Sequence, residues 1–339
     1  MPRIMRDTDH SPVKGDANPR ENASSGAPVN NVTTALFARA SRNSERVIVP
    51  LNEGALQADT RLPAFYCVHS ASGVVGADFS PLALRLRSTT RFYGIQAPPK
   101  QITEHQFGGS VESIAEHYTQ ALVEFQPSGP LVLGGYCLGA VIALAMAENL
   151  RARGREVGPL IAIDGVPENT GIALRRWSPH YWLDLFRNLP GWVNHGDLMR
   201  SRTLRSLIWS LTNNAHAIGR RLMGLRRGQQ LGGGYAIDGI MDVSNYTPAH
   251  RSFINRIFAA MFAYIPPHYS GEIVVYEARI TPLLYLPLIG RTWRRFASQS
   301  EIVGIVGTHI NMLREPYVDA LASDLGNRLA AYFADRPEQ

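Results

Sequence analysis

The sequence predicts an α/β protein: a mostly parallel sheet with helices on both faces and a helical lid inserted before the last strands. Three observations carry that prediction. Short apolar runs alternate with helix-length stretches from Val47 to Ile163, and unbroken apolar runs belong to parallel strands buried on both faces. The alternation stops over residues 170–262, which are rich in Trp and Arg and show helical rather than strand character. Strand patterns then resume at Ile273.

Taken in order, residues 1–45 are rich in Asn, Ser, Asp and Pro and are expected to be disordered, with a short helix around Thr33–Arg42. The folded part begins at Val47–Leu51. Leu62–Val68 reads as a buried strand that runs into the small-residue loop His69–Gly76, and a helix is expected over Phe79–Leu86. Arg91–Ala97 is the next strand, ended by Pro98-Pro99. Val111–Phe125 has helical spacing at Ile114, Ala115, Tyr118 and Leu122, with Ser110 placed to cap it. Leu131–Leu133 reads as a strand, Gly134–Ala140 as a turn, and the Ala-rich run after it as a helix closed by Gly154. Leu160–Ile163 is a further buried strand. Past the insertion, Ile273–Ala278 and Glu301–Val306 read as strands, and Glu315–Phe333 as the last helix. The organisation expected is a tail (1–45), a first core part (46–169), the lid (170–262) and a second core part (263–339).

Composition narrows the function classes. A chain of 339 residues with 45% apolar content can bury a large core. Cys67 and Cys137 are the two cysteines, too few for a disulfide framework, and they point to a reducing cytoplasm. The N-terminal residues have no apolar stretch of the kind a secretory leader carries. The uncharged run Leu131–Ala147 is broken by Gly-Gly-Tyr-Cys and is read as strand plus helix, not as a membrane span. The net charge is +6, and apart from Lys14 and Lys100 every basic side chain is Arg. That balance suits an acidic partner. Nucleic-acid signatures (zinc-finger spacing, helix-turn-helix, basic-aromatic sheet) are missing, and an acidic protein fits the charge as well.

The chemistry concentrates on Gly135-Tyr136-Cys137-Leu138-Gly139, a G-x-C-x-G placed between strand and helix. This is the setting of a nucleophile elbow, with Cys where Ser is usual. The helix beginning there offers free N–H groups and a positive dipole end, which favour a thiolate. Asp164 ends the next strand, and His309 follows the last. The chain order nucleophile, acid, histidine is that of an α/β-hydrolase fold. In this reading His309 takes the thiol proton and Asp164 holds its tautomer. The backbone N–H groups of Ala71 and Leu138 form the oxyanion hole. His69 competes for the histidine role but precedes the elbow, and is assigned a structural role; Cys67, in mid-strand, is assigned to the core.

From Val47 to Phe333 the sequence resembles the thioesterase family of polyketide synthases and nonribosomal peptide synthetases. The resemblance rests on FYCVHSASG, RFYGIQAPP, GGYCLGAVIALAMA, LIAIDGVP, YSGEIVVYEAR and VGIVGTHINML. It implies the α/β-hydrolase fold with a helical lid, and as substrate an acyl or peptidyl group on the phosphopantetheine arm of a carrier protein. Carrier proteins are acidic, which fits the Arg-rich insertion. Neither a metal nor a cofactor of its own is implied, since the pantetheine belongs to the partner. The chain departs from the family pattern at Cys137, where most members have Ser. A Ser acyl-enzyme is an oxoester, downhill from a thioester donor. A Cys acyl-enzyme is itself a thioester and stays activated for a second acceptor. The expected enzyme is therefore an acyltransferase or cyclase releasing a polyketide or nonribosomal peptide, acting in trans. Three alternatives stand beside it: a hydrolytic editing or chain-releasing thioesterase, a dienelactone-type Cys hydrolase, and a non-catalytic binding protein. The long insertion argues against the dienelactone type, and the complete Cys, Asp, His set against the binding protein.

Overall fold

The computed structural model describes residues 46–58, 61–103, 107–167, 246–280, 289–334 and 336. The expected tail, its short helix and the lid residues 170–245 lie outside the described residues.

The described chain runs β1 (Ile48–Pro50), α1 (Glu53–Leu56), β2 (Ala64–Val68), α2 (Gly76–Arg85), β3 (Arg91–Ile95), α3 (Pro99–Thr103), α4 (Val111–Phe125), β4 (Leu133–Tyr136), α5 (Gly139–Ala152) and β5 (Leu160–Ile163). Beyond the insertion come α6 (Pro248–Ala263), β6 (Tyr269–Ile280), α7 (Ile289–Phe296), β7 (Ala297–Thr308) and α8 (Val318–Ala334). The strands form one sheet in the order β1-β3-β2-β4-β5-β6-β7. β1 pairs antiparallel with β3, and every other pairing is parallel.

Alternation along each strand sends side chains to opposite faces, and both faces are covered. Tyr66 and Val68 of β2, Leu160 and Ala162 of β5, and Ile273 and Val275 of β6 join a core with α4, α5 and α6. Their neighbours Phe65 and Cys67, Ile161 and Ile163, Val274 and Tyr276 join a second core with α2 and α8. This is why the strands read as continuous apolar runs. Cys67 is wholly buried in the second core, and burial pushes its thiol well up, as its core assignment requires.

α4 matches its expected span: Ser110 Oγ accepts from the Ser113 N–H at 3.1 Å, and Ile114, Ala115, Tyr118 and Leu122 are buried. α5 is closed by Gly154, just past its cap, which has φ +74. The Arg155 N–H donates to the Leu150 carbonyl at 3.0 Å and the Gly154 N–H to that of Arg151 at 2.9 Å, a Schellman closure.

Several boundaries differ from expectation. α2 begins at Gly76, so Asp78 lies in its first turn rather than in the preceding loop. β4 runs from Leu133 through Tyr136, because Gly134 and Gly135 pair with both β2 and β5; the turn is therefore shorter than Gly134–Ala140. β6 and β7 each extend over 12 residues, paired far beyond their apolar centres. α8 begins at Val318, two residues past Pro316, since the residue before a proline is disfavoured in the helical region. α6 is one continuous helix that crosses the boundary drawn at residue 262. Its Phe253, Ile254 and Ile257 are fully buried in the first core.

Candidate active site

The elbow is built by β4 and α5. Cys137 follows β4 directly, with φ +57, a left-handed conformation that costs a non-glycine residue about 1–3 kcal/mol. Its N–H donates to the Ile163 carbonyl at 2.8 Å, tying the turn to the end of β5. The turn is tight enough to exclude side chains on either side. A Cβ on Gly135 would lie 2.1 Å from the Gly139 carbonyl group, and one on Gly139 would lie 2.3 Å from the His69 oxygen. The G-x-C-x-G spacing is thus a steric requirement of strand, turn and helix approaching one another. Cys137 is partly exposed.

Asp164 follows β5 with φ +47, so a second strand-end residue at the site is also left-handed. Its N–H donates to the Tyr276 carbonyl at 2.8 Å. Its carboxylate is divided between two donors: Oδ1 accepts from the Ala278 N–H at 2.7 Å, and Oδ2 meets His309 Nδ1 at 2.6 Å. The side chain is nearly buried, whereas the imidazole is about a third exposed. Cys137 lies close enough to His309 to act on its charge; with Nδ1 committed to Asp164, Nε2 is the nitrogen left to face the sulfur. Three residues from three strand ends, 27 and 145 positions apart in the chain, are brought into one line.

Electrostatics favour the protonated imidazole. Burial opposes the charged form, but the Cys137 sulfur and the Asp164 carboxylate outweigh it, so His309 is held well above its ordinary value. His69 goes the other way. It is wholly buried, with Nε2 2.7 Å from the Tyr118 hydroxyl and Nδ1 2.5 Å from the Ser70 carbonyl. Desolvation pushes its pKa down to about 4, against a smaller upward pull from the Ser70 carbonyl. Both ring nitrogens are committed, so His69 is a packed, neutral histidine at the base of the following loop.

Ala71 and Leu138 are both buried. Among the described residues neither N–H donates a hydrogen bond, so two backbone donors remain unspent, one just after Cys137 and one on the loop after β2.

Other residues at the site had no sequence signal of their own. Tyr136 stacks on the His309 ring, with centroids 4.9 Å apart and planes at 22°, and its hydroxyl donates to the His309 carbonyl. Burial pushes that phenol well up, so it stays a donor. Trp293 of α7 is wholly buried and donates from Nε1 to the Gly165 carbonyl at 2.7 Å, fixing the turn after Asp164. Asp78 accepts from Ser70 Oγ at 2.6 Å, and His250 of α6 reaches the Ser72 carbonyl at 2.5 Å. Only Tyr136, next to the nucleophile position, was close to a motif in sequence.

Among the described residues no group of His, Cys, Asp and Glu is placed to hold a metal ion, and no helix is long and apolar enough to cross a membrane.

A doubly covered, mostly parallel sheet with Cys, Asp and His at the ends of β4, β5 and β7 has the fold of the α/β-hydrolases. Residues 63–230 match the thioesterase-domain family. It is 36% identical over 123 residues to enterobactin synthase component F of Escherichia coli K12, a match covering 36% of this chain and 9% of that protein. Over 108 residues it is 32% identical to the non-reducing polyketide synthase Dhc5 of Alternaria cinerariae, covering 31% of this chain and 5% of that one. The chain thus spans less than a tenth of the length of these curated relatives. Among solved structures, the NocB thioesterase domain from the nocardicin cluster superposes with a TM-score of 0.51 at 17% identity, over 84% of this chain and 99% of that one. At that identity the likeness concerns the fold.

Proposed function

We propose that this chain takes an acyl or peptidyl group from the phosphopantetheine thioester of a carrier protein onto Cys137. It then passes the group to a nucleophile other than water, or closes it into a ring, and so releases a polyketide or nonribosomal peptide product. The observation that carries the reading is the Asp164 Oδ2 contact with His309 Nδ1 beside Cys137, whose backbone at the elbow is held left-handed.

The steps balance with these residues alone. Cys137 Sγ attacks the thioester carbonyl with its proton already held by His309. The Asp164 carboxylate stabilises the imidazolium and holds Nδ1–H toward itself. The developing oxyanion accepts from the unspent N–H groups of Ala71 and Leu138, each such donor being worth about 3–4 kcal/mol of barrier. The carbon–sulfur bond to pantetheine breaks, and His309 returns the proton to the departing thiol. In the second half an amine, hydroxyl or thiol of the acceptor gives its proton to His309 and attacks the acyl-Cys137 thioester, and the Cys137 sulfur leaves with that proton kept on His309, which restores the starting state. Because acyl-Cys137 is a thioester, little of the donor's activation is lost before the acceptor arrives. The enzyme would need no cofactor of its own. The relatives' place within large synthases supports a carrier protein as partner, and the Arg-rich composition of residues 170–262 suits an acidic one.

Intact-protein mass spectrometry with acyl-pantetheine thioesters, on the wild type and Cys137→Ser, tests this. The expected wild-type adduct persists in water and is discharged by an added amine, alcohol or thiol. An adduct that collapses to free acid without an acceptor would assign hydrolysis instead. No adduct, with Cys137 still open to alkylation, would reject the substrate class.

A further inference from the structure

The loop Ser70–Val74 holds the Ala71 N–H, and almost all of its other polar groups are spoken for. Asp78, in the first turn of α2, accepts from Ser70 Oγ, and Ser70 Oγ in turn accepts from the Ser72 N–H at 3.3 Å. The Gly73 N–H donates to the Ser70 carbonyl at 3.1 Å, and the Gly73 carbonyl accepts from Ala97 at 2.8 Å. The Ser72 carbonyl reaches out of this local network to a distant partner, His250 Nε2 at 2.5 Å, which lies 178 positions along the chain.

His250 is fixed from several directions. Thr247 caps α6 with Pro248 as its first residue, and Thr247 Oγ1 accepts from the His250 N–H at 3.2 Å. The imidazole lies edge-on between Tyr246, with centroids 4.6 Å apart, and Phe253 at 6.1 Å. Phe253 presses on the same loop: a Cβ at Gly73 would lie 2.5 Å from its ring. The tip of α6 therefore holds the loop both by packing and by one directed hydrogen bond. A helix tip with packing alone would leave the Ser72–Gly73 peptide held at its N–H end only; the His250 donor fixes its carbonyl as well. The N–H of that same peptide, on Gly73, donates to the Ser70 carbonyl, which belongs to the Ser70–Ala71 peptide that carries the Ala71 N–H, so the orientation set by His250 is passed to the donor.

We infer that His250 is a positioning residue: by holding the Ser72 carbonyl it orients the loop so that the Ala71 N–H serves as an oxyanion donor. The inference rests on the proposed acylation of Cys137, and it makes the end of the inserted segment part of the catalytic geometry. Misplacing a catalytic group by about 1 Å can cost on the order of a hundredfold in rate, so the donor should be visible in kinetics.

The test compares two reactions of the same sulfur. Acylation by 4-nitrophenyl acetate, read as the nitrophenolate burst, builds an oxyanion and is indifferent to the natural acyl chain. Alkylation by iodoacetamide needs the thiolate but builds no oxyanion. His250→Ala is expected to slow the burst by about tenfold or more with its half-saturation nearly unchanged, while alkylation stays within about twofold. His250→Gln, which retains an N–H donor, should recover most of the burst rate, whereas His250→Phe, which retains only the ring, should not. A wild-type burst rate in His250→Ala, a parallel loss of burst and alkylation, or rescue by Phe rather than Gln would overturn the inference. A wild type that alkylates without any burst would remove Cys137 as the acylated group, and both readings with it. A normal burst with no reaction toward carrier thioesters would reject the substrate class and leave the positioning role standing.

Discussion

The two cysteines differ in every respect that bears on reactivity. Cys67 adopts ordinary strand geometry, is sealed in the core, and has its thiol pushed well up by burial. Cys137 sits in a left-handed turn, partly exposed, against an imidazole held in its charged form. Iodoacetamide is accordingly expected to label Cys137 in the native protein and Cys67 only on unfolding, as peptide mapping would read. His309 is the base placed beside the sulfur, so His309→Ala should slow alkylation at pH 6 by about tenfold or more. Equal rates in variant and wild type would mean the imidazolium does not act on the sulfur. Asp164→Asn removes the carboxylate that fixes Nδ1–H. Its effect belongs mainly to turnover, a fall of at least about a hundredfold, with Cys137 still present and open to labelling.

At the scale of the elements, the site is held together by what happens just past the strand ends. The turn after β5 would be loose without α7: Trp293 Nε1 is the donor that satisfies the Gly165 carbonyl. Trp293→Phe keeps most of the ring but strands that carbonyl, so a loss of about 1–3 kcal/mol is expected in urea denaturation. A stability within error of wild type would show that the carbonyl finds another partner. Cys137, Asp164 and His309 were legible in the sequence because each directly follows an apolar strand, and a parallel sheet presents those ends on one side. Ser110 was legible because capping is local chemistry within three residues. Trp293, Asp78 and His250 were not, since what they do depends on contacts between distant segments that no local pattern encodes. The boundaries of β4, β6 and β7 escaped for a related reason: backbone pairing, not apolar side chains, sets where those strands end.

Across the whole molecule, the sheet seals a histidine between its layers, and that has a consequence for acid stability. His69 is neutral in the folded chain, with a pKa of about 4 against an ordinary 6.5. Between those values the unfolded chain binds a proton that the folded chain does not. Stability is therefore full above pH 6.5 and lost as pH falls through about 4. The loss approaches about 3 kcal/mol at pH 4, a large part of the stability of an ordinary domain. His309 does not blur this window. Its folded value lies above 6.5, so below that pH it is protonated in both states and adds no slope. The lowered carboxylates of Glu156, Glu301 and Asp324 contribute at the acid end and work in the same direction, whereas raised Asp78 works against them. The comparison must therefore be between variants rather than between pH values. His69→Gln can still meet the Tyr118 hydroxyl and the Ser70 carbonyl but cannot titrate. Urea unfolding of both proteins from pH 7 to pH 4 should show the wild-type advantage shrinking by about 3 kcal/mol. A constant difference over that range would mean that His69 is not held neutral by the core, and that the acid sensitivity of the fold lies with its carboxylates.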